Sequence, residues 1–337
     1  MLFFILFILS FSLTGMVRYY ALQHKVIDTP NDRSSHTVPT PRGGGVAFVL
    51  LFLASTLYLA YSGAVAFWPA LGLVVAGGGT AILGFMDDHC PISAKRRLPI
   101  HFILSGFALY CLGGMALIVP AGFNVPAVNV LMNVVALIYL VWLLNLYNFM
   151  DGINGLAAVE AITVGLGGAF LYGLLGYVDM MWLPLVLAVV VIGFLFWNFP
   201  VARIFMGDAG SGFLGLIIGF FSIQAAHIHT DLFWGWLVLS GAFIVDATLT
   251  LLGRMMNGSR IDEPHRQHAY QRAVDLFGSH VKVTMAVLVI NLVWLLPIAI
   301  LVACGYLHGL VGLLIAYFPL VVLVFQFSRL SRSIVNA

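Results

Sequence analysis

Runs of about twenty predominantly apolar residues, the length that carries an α-helix across a bilayer, recur along almost the whole chain. They fall near 1–22, 44–62, 67–86, 99–119, 125–147, 155–177, 181–199, 210–229, 232–252, 283–304 and 306–328. A backbone in hydrocarbon must satisfy its own polar groups, so such runs fold as helices. The expected fold class is therefore all-α, a polytopic membrane protein of ten or eleven spans. The last two runs are parted only by a short break at residues 305–308. Composition agrees: 62% of the 337 residues are hydrophobic and 8% charged, against about a quarter charged in soluble domains. A soluble chain of this size could not enclose so large an apolar core.

The placement of charge is more informative than its total of +2, and no nucleic-acid partner is expected. With the N-terminus outside, the inner segments hold Arg18, Lys25, Arg33, Arg42, Lys95, Arg96, Arg97, Arg203, Arg254, Arg260, Arg266, Arg272, Lys282, Arg329 and Arg332, all 15 Lys and Arg of the chain. The outer loops keep Asp179 and Asp231. That asymmetry sets the expected orientation, with the inner segments in the cytoplasm. Residues 1–13 lack a basic start, which suits an uncleaved first span. Cys90, Cys111 and Cys304 have neither metal-like nor disulfide-like spacing and read as packing residues.

Four polar islands interrupt the apolar pattern at its inner ends, where polar groups are costly and exist for function. The richest is residues 145–155, NLYNFMDGING, which closes the run 125–142. Asn145, Asn148 and Asp151 recur every third residue and form a stripe on a helix. Gly152 and Gly155 then let a new helix begin with free N–H groups, an anion site. Polar glue between helices is the plainer alternative. Asp87 and Asp88 close GFMDD. Adjacent helical residues project about 100° apart, so one can face a cleft while the other reaches the headgroup layer. Neighbouring carboxylates raise each other's pKa unless a cation intervenes, which suits a general base beside a metal.

Asp208 lies in FMGDAGSG, where glycines allow close backbone approach. Mg²⁺ takes oxygen ligands, commonly one or two carboxylates with substrate phosphates. Helix capping is the rival reading for Asp208. In PHRQHAYQR, His265 and His268 are three apart, yet no third zinc ligand is near. Arg266 offers a planar fork for phosphate oxygens. Among Lys95, Arg96 and Arg97 at least one substrate ligand and one lipid-headgroup contact are expected. Residues 23–45, rich in turn formers, can expose N–H groups. Of the remaining histidines, His36 is the candidate there. Glu160 and Asp246 lie within spans and are functional or paired.

TPRGGG, GFMDD, NLYNFMDGING, FMGDAGS and HRQHAYQ, in this order over nearly the whole chain, resemble the polyprenyl-phosphate N-acetylhexosamine-1-phosphate transferases. The resemblance implies one transmembrane transferase domain, 1–337, with cytoplasmic segments at about 23–43, 87–98, 148–154, 200–209 and 253–282. It implies Mg²⁺-dependent transfer of a sugar-1-phosphate from a UDP-N-acetylhexosamine to undecaprenyl phosphate with release of UMP, Mn²⁺ serving as a substitute ion. Asp208 and Asn148 are then the expected metal ligands. Asp87 is the expected base, with Asp88 next, and Asp151 and His265 are further expected catalytic residues. Lys95, Arg266, His268, Asn145, Asn154 and Gly44 are expected to bind substrate, Lys95 and Arg266 at the diphosphate.

Two departures bear on the branch. Asn154 stands where peptidoglycan enzymes of the family have a second aspartate, and HRQH replaces their run of three histidines. Both favour the branch that initiates O-antigen or related surface glycans in the bacterial inner membrane, with membrane lipids around it and a homodimer compatible with it. The pentapeptide-transferase branch and a secondary transporter, which also uses broken polar helices, are the alternatives.

Overall fold

A computed structural model describes residues 1–30, 35–116, 126–258 and 266–335, with side chains to residue 330. The helices are α1 Leu2–Gln23, α2 Gly45–Tyr61, α3 Phe67–His89, α4 Ala94–Cys111, α5 Pro126–Met150 and α6 Leu156–Leu174. They continue as α7 Val178–Asn198, α8 Asp208–Ile228, α9 Thr230–Leu239, α10 Gly241–Met256, α11 Ala269–Phe277, α12 His280–Ala303 and α13 Gly309–Val335. Strand among the described residues is one antiparallel pair, Ile27–Asp28 with Thr40–Pro41.

Every apolar run seen in the sequence becomes helix, so the all-α membrane class holds. Among the described residues, eight helices are long and apolar enough to span, and nine if α9 and α10 form one span bent by 69°. The shortfall from ten or eleven has two sources. Helix α2 has 17 residues, and α4 opens on Lys95-Arg96-Arg97 and ends at Cys111 rather than near 119.

Helix α8 is the axis of the bundle, with nearly all its side chains buried. Small residues make this possible, because in lipid close backbone approach replaces the hydrophobic drive. A β-carbon on Gly215 would come within 2.3 Å of the Leu143 carbonyl oxygen, and one on Gly45 within 2.4 Å of Gly210 Cα. Helices α5 and α2 are therefore seated directly on α8. Phe48, Phe52, Phe213 and Phe221 fill the α2–α8 seam, Phe52 meeting Phe213 and Phe221 edge to face.

Helix α3 carries a π turn at Leu73–Gly77 and α12 another at Ile290–Leu295. Within the second, Asn291 donates to Glu160 at 2.6 Å and to Thr163 at 2.7 Å, all deep in the core. Glu160 is thus a paired group that ties α6 to α12. Asp246 is also paired: its carboxylate accepts the N–H groups of Ala269 at 2.8 Å and Tyr270 at 3.0 Å, capping α11.

One end of the bundle gathers the functional segments. Arg18 reaches the Arg203 carbonyl, Gly44 N–H the Phe205 carbonyl, and Arg42 the end of α3. Asn154 bonds Pro200 and His280. The sites that are scattered over two hundred positions in sequence are neighbours here.

Candidate active site

The cleft at this end, of ≈ 200 Å³, is lined by Asp88, Asn148, Asp151, Asp208, Arg42 and the polar groups of Ser35, His36, Asn154, Gln271 and His280. Its floor is the junction of α3 with the start of α8. Asp88 Oδ1 accepts the Asp208 N–H at 3.2 Å and lies 3.4 Å from Arg42 Nε. Its side chain is 1% exposed, and Oδ2 is buried without a partner. Gly207, at φ +77, permits this: a β-carbon there would sit 2.4 Å from Asp88 Oδ2.

Carboxylates are disfavoured at a helix C-terminus, where the carbonyl ends of the dipoles lie. Arg42 removes the conflict. Its guanidinium donates to the Asp88 carbonyl at 2.7 Å and 3.1 Å and to the Asp87 carbonyl at 3.3 Å. It thus caps α3 while lending positive charge to the Asp88 side chain. Asp87 points elsewhere, as adjacent helical positions must. Its carboxylate accepts from Ile92 N–H at 2.5 Å and from Arg97. Arg97 also donates to Asp208 Oδ2 at 2.6 Å.

Asp208 is the first residue of α8, one position past the N-cap, which is Gly207. Its carboxylate meets Arg97 and Asn148, so capping alone does not account for it. Asn148 also donates to Ser211 Oγ at 3.3 Å. The asparagine stripe is real: Asn145 shares a side cavity with Asn148, Asp208 and Arg97, and Asp151 continues into the main cleft. Low-dielectric surroundings, then the Asp208 and Asp88 carboxylates, raise the pKa of Asp151 well above the carboxylate range. Crowded acids of this kind call for a cation.

Several expected site residues are placed differently. Lys95 is exposed, and Arg97, two positions on, is the cation that reaches the carboxylates. Arg266 pairs with Asp275 at 2.6 Å instead of lining the cleft. His268 is buried beneath α11 as its N-cap, with Nδ1 3.5 Å from Asp246 Oδ1. Gly44 is a packing residue, since a β-carbon would come within 2.7 Å of Phe194 and its N–H is spent on Phe205. In the turn after Asp151, Gly152 and Ile153 line the cleft, while the two N–H groups that follow are engaged. Gly155 donates to Asn198 Oδ1 at 2.7 Å and Asn154 to His280 Nδ1 at 3.4 Å. Asn154 lines the cleft but its amide donates to the Pro200 carbonyl at 3.2 Å. His265 lies outside the described residues.

Residues that pattern reading missed are Arg42, Gln271 and His280 on the cleft wall. His280 opens α12 and holds the Ser35 carbonyl at 3.0 Å, beside His36. Nothing in local sequence marks it, because its partners are 126 and 245 positions away.

The cleft offers oxygen donors from Asp88, Asn148, Asp151 and Asp208, the chemistry a hard divalent cation prefers. The buried, unpartnered Asp88 Oδ2 fits such an ion. Among the described residues, however, no three His, Cys, Asp or Glu side chains stand at metal-binding spacing. In this structure Arg97 lies between the Asp208 carboxylate and that of Asp87, outside the cleft.

An apolar helix bundle with acids, guanidinium groups and amides converging at one end defines an integral membrane protein with a polar site at its margin. The family model for glycosyl transferase family 4 matches residues 70–226. The chain is 30% identical to the probable undecaprenyl-phosphate N-acetylglucosaminyl 1-phosphate transferase of Bacillus subtilis, over 83% of this chain and 78% of that one. It is 31% identical to the decaprenyl-phosphate N-acetylglucosaminephosphotransferase of Mycolicibacterium smegmatis, over 81% and 74%. It is also 31% identical to the phospho-N-acetylmuramoyl-pentapeptide-transferase of Moorella thermoacetica, over 63% and 68%. The chain belongs to the polyprenyl-phosphate N-acetylhexosamine-1-phosphate transferases of glycosyl transferase family 4. It is a multi-pass membrane transferase.

Proposed function

We propose that the protein transfers an N-acetylhexosamine-1-phosphate from a UDP-sugar to undecaprenyl phosphate, with release of UMP, at the cytoplasmic face of the bacterial inner membrane. The product would initiate O-antigen or a related surface glycan. The observation that carries this reading is the convergence of Asp88, Asn148, Asp151 and Asp208 on one cleft beside Arg42 and Arg97. Two anionic phosphate groups must meet there, so cationic groups have to surround the reaction. Mg²⁺ held by Asp208 and Asn148 would supply charge neutralisation of the diphosphate.

The chain's own residues do the rest. Asp88 is the better-placed acceptor for a proton of the lipid phosphate, because Asp87 is committed to Arg97 and Ile92 and does not line the cleft. Arg42 orients Asp88 from behind. A groove of ≈ 360 Å³ next to the Phe149–Gly152 turn is lined almost wholly by apolar groups, among them Phe243, Val283, Leu320 and Phe327. It suits a prenyl chain whose phosphate reaches the cleft.

Clustering of the cleft groups at one end of the bundle speaks against a transporter, which needs access from both sides. The relatives whose names carry N-acetylglucosamine align over more of the chain than the pentapeptide-transferase does, and Asn154 and HRQH point the same way. The test is UMP release by purified protein with undecaprenyl phosphate, Mg²⁺ and a panel of UDP-N-acetylhexosamines, UDP-GlcNAc first. UMP formed only when both substrates are present supports the reading. No release with any donor overturns it.

A further inference from the structure

Arg97 holds a position that the proposed chemistry needs for something else. Its Nη1 nitrogen touches carboxylates from two helices, Asp208 Oδ2 at the start of α8, at 2.6 Å, and Asp87 Oδ2 at the end of α3. Arg42, the guanidinium that lines the main cleft, is engaged with the carbonyls that end α3. Neutralisation of Asp208 therefore falls to Arg97. Asp208 also faces both the main cleft and the side cavity with Asn145 and Asn148, so a cation entering from either side arrives at a carboxylate whose Oδ2 already accepts from Arg97.

A second cation brought to a carboxylate that already neutralises a guanidinium binds more weakly, since the two positive charges repel at a few ångströms in a partly dry site. We propose that Arg97 is a built-in counter-ion of Asp208 that a divalent cation must displace, so that guanidinium and metal compete for the same carboxylate. This rests on the metal assignment made above. Asp87 makes the exchange feasible. It anchors Arg97 independently, and Ile92 N–H fixes Asp87 in turn. On release from Asp208 the guanidinium keeps one partner and remains at the side cavity next to the cleft, 27% exposed, where its planar fork suits phosphate oxygens. Lys95 cannot take this part, because two residues along a helix place it about 200° away, in the open.

The experiment is Mn²⁺ binding to the full-length detergent-solubilised protein, followed by the electron paramagnetic resonance signal of free Mn²⁺. Removal of the competitor in Arg97→Gln should tighten Mn²⁺ binding about tenfold, with Arg97→Lys between it and the wild type. Size-exclusion elution checks folding, and if Arg97→Gln aggregates, Arg97→Lys decides by itself. Affinity equal to or weaker than wild type in the folded variant overturns the counter-ion role. Asp208→Asn separates the two levels of the argument. Its loss of Mn²⁺ binding beside an unchanged Arg97→Gln sinks only the competition. Absence of saturable Mn²⁺ binding to both the wild type and the folded Arg97→Gln removes both the metal assignment and the competition.

Discussion

Gly84 of α3 lies so close beneath Asp208 of α8 that a β-carbon on it would come within 2.4 Å of the Asp208 carbonyl carbon. Gly84 is one helical turn before Asp88, so this contact sets the height at which the Asp88 carboxylate meets the Asp208 N–H. Backbone atoms cannot yield as a flexible side chain can. Gly84→Ala should therefore push α3 off α8 at a cost of about 1–3 kcal/mol. Turnover should fall at least tenfold while the protein remains membrane-inserted. UMP release measured beside thermal stability in detergent checks this, and wild-type activity in Gly84→Ala would show that the register is not fixed here.

Asp208→Asn keeps the size of the side chain and removes its charge. The expected outcome is loss of turnover in a protein that still inserts and elutes as the wild type does. Near-normal activity in that variant would overturn the metal assignment to Asp208.

Arg42 combines two tasks, capping α3 through main-chain carbonyls and holding charge near Asp88. Arg42→Ala should lower the melting temperature through the lost cap, worth roughly 1 kcal/mol. It should also reduce kcat more than it raises the KM for the UDP-sugar, since Arg42 acts through Asp88. A change confined to KM would make Arg42 a substrate ligand instead.

Glu160 and Asn291 stand apart from the cleft, and neither lines it. Asn291→Leu leaves the Glu160 carboxyl without its donor in the core, which should destabilise the bundle by about 1–2 kcal/mol. Activity of the folded fraction should stay close to wild type. A folded Asn291→Leu protein that is inactive would assign these residues to the reaction after all.

His280 ties Ser35 and Asn154 together across the cleft. The tautomer that donates from Nε2 to the Ser35 carbonyl leaves Nδ1 to accept from Asn154 N–H. His280→Ala removes both bonds, so the segment bearing His36 loses its anchor. The expected effect is a severalfold rise in donor KM with a smaller change in kcat, read from initial rates at varied UDP-sugar.

Much of this protein was legible in its residues. Apolar runs separated by short polar and basic segments determined a helical membrane protein, because hydrocarbon admits few other solutions. The islands at 87–88, 145–155 and 207–208 pointed to the groups that meet at the candidate cleft, since polar groups at such depth need a purpose. The family followed from their order. What one-dimensional reading could not supply was the direction of each side chain. Asp87 and Asp88 are adjacent in sequence, yet only Asp88 opens on the cleft, and the difference is an angle set by where α3 lies against α8. Arg97 rather than Lys95 reaches the acids for the same reason. His268 and Gly44 sit inside conspicuous motifs and turn out to support packing and a helix cap, because Asp246, Phe194 and Phe205 meet them from distant parts of the chain. Membrane burial is written locally, in hydropathy. Contact between carboxylates, guanidinium groups and glycines is decided only when helices pack, at distances of a few ångströms that no spacing along the chain records.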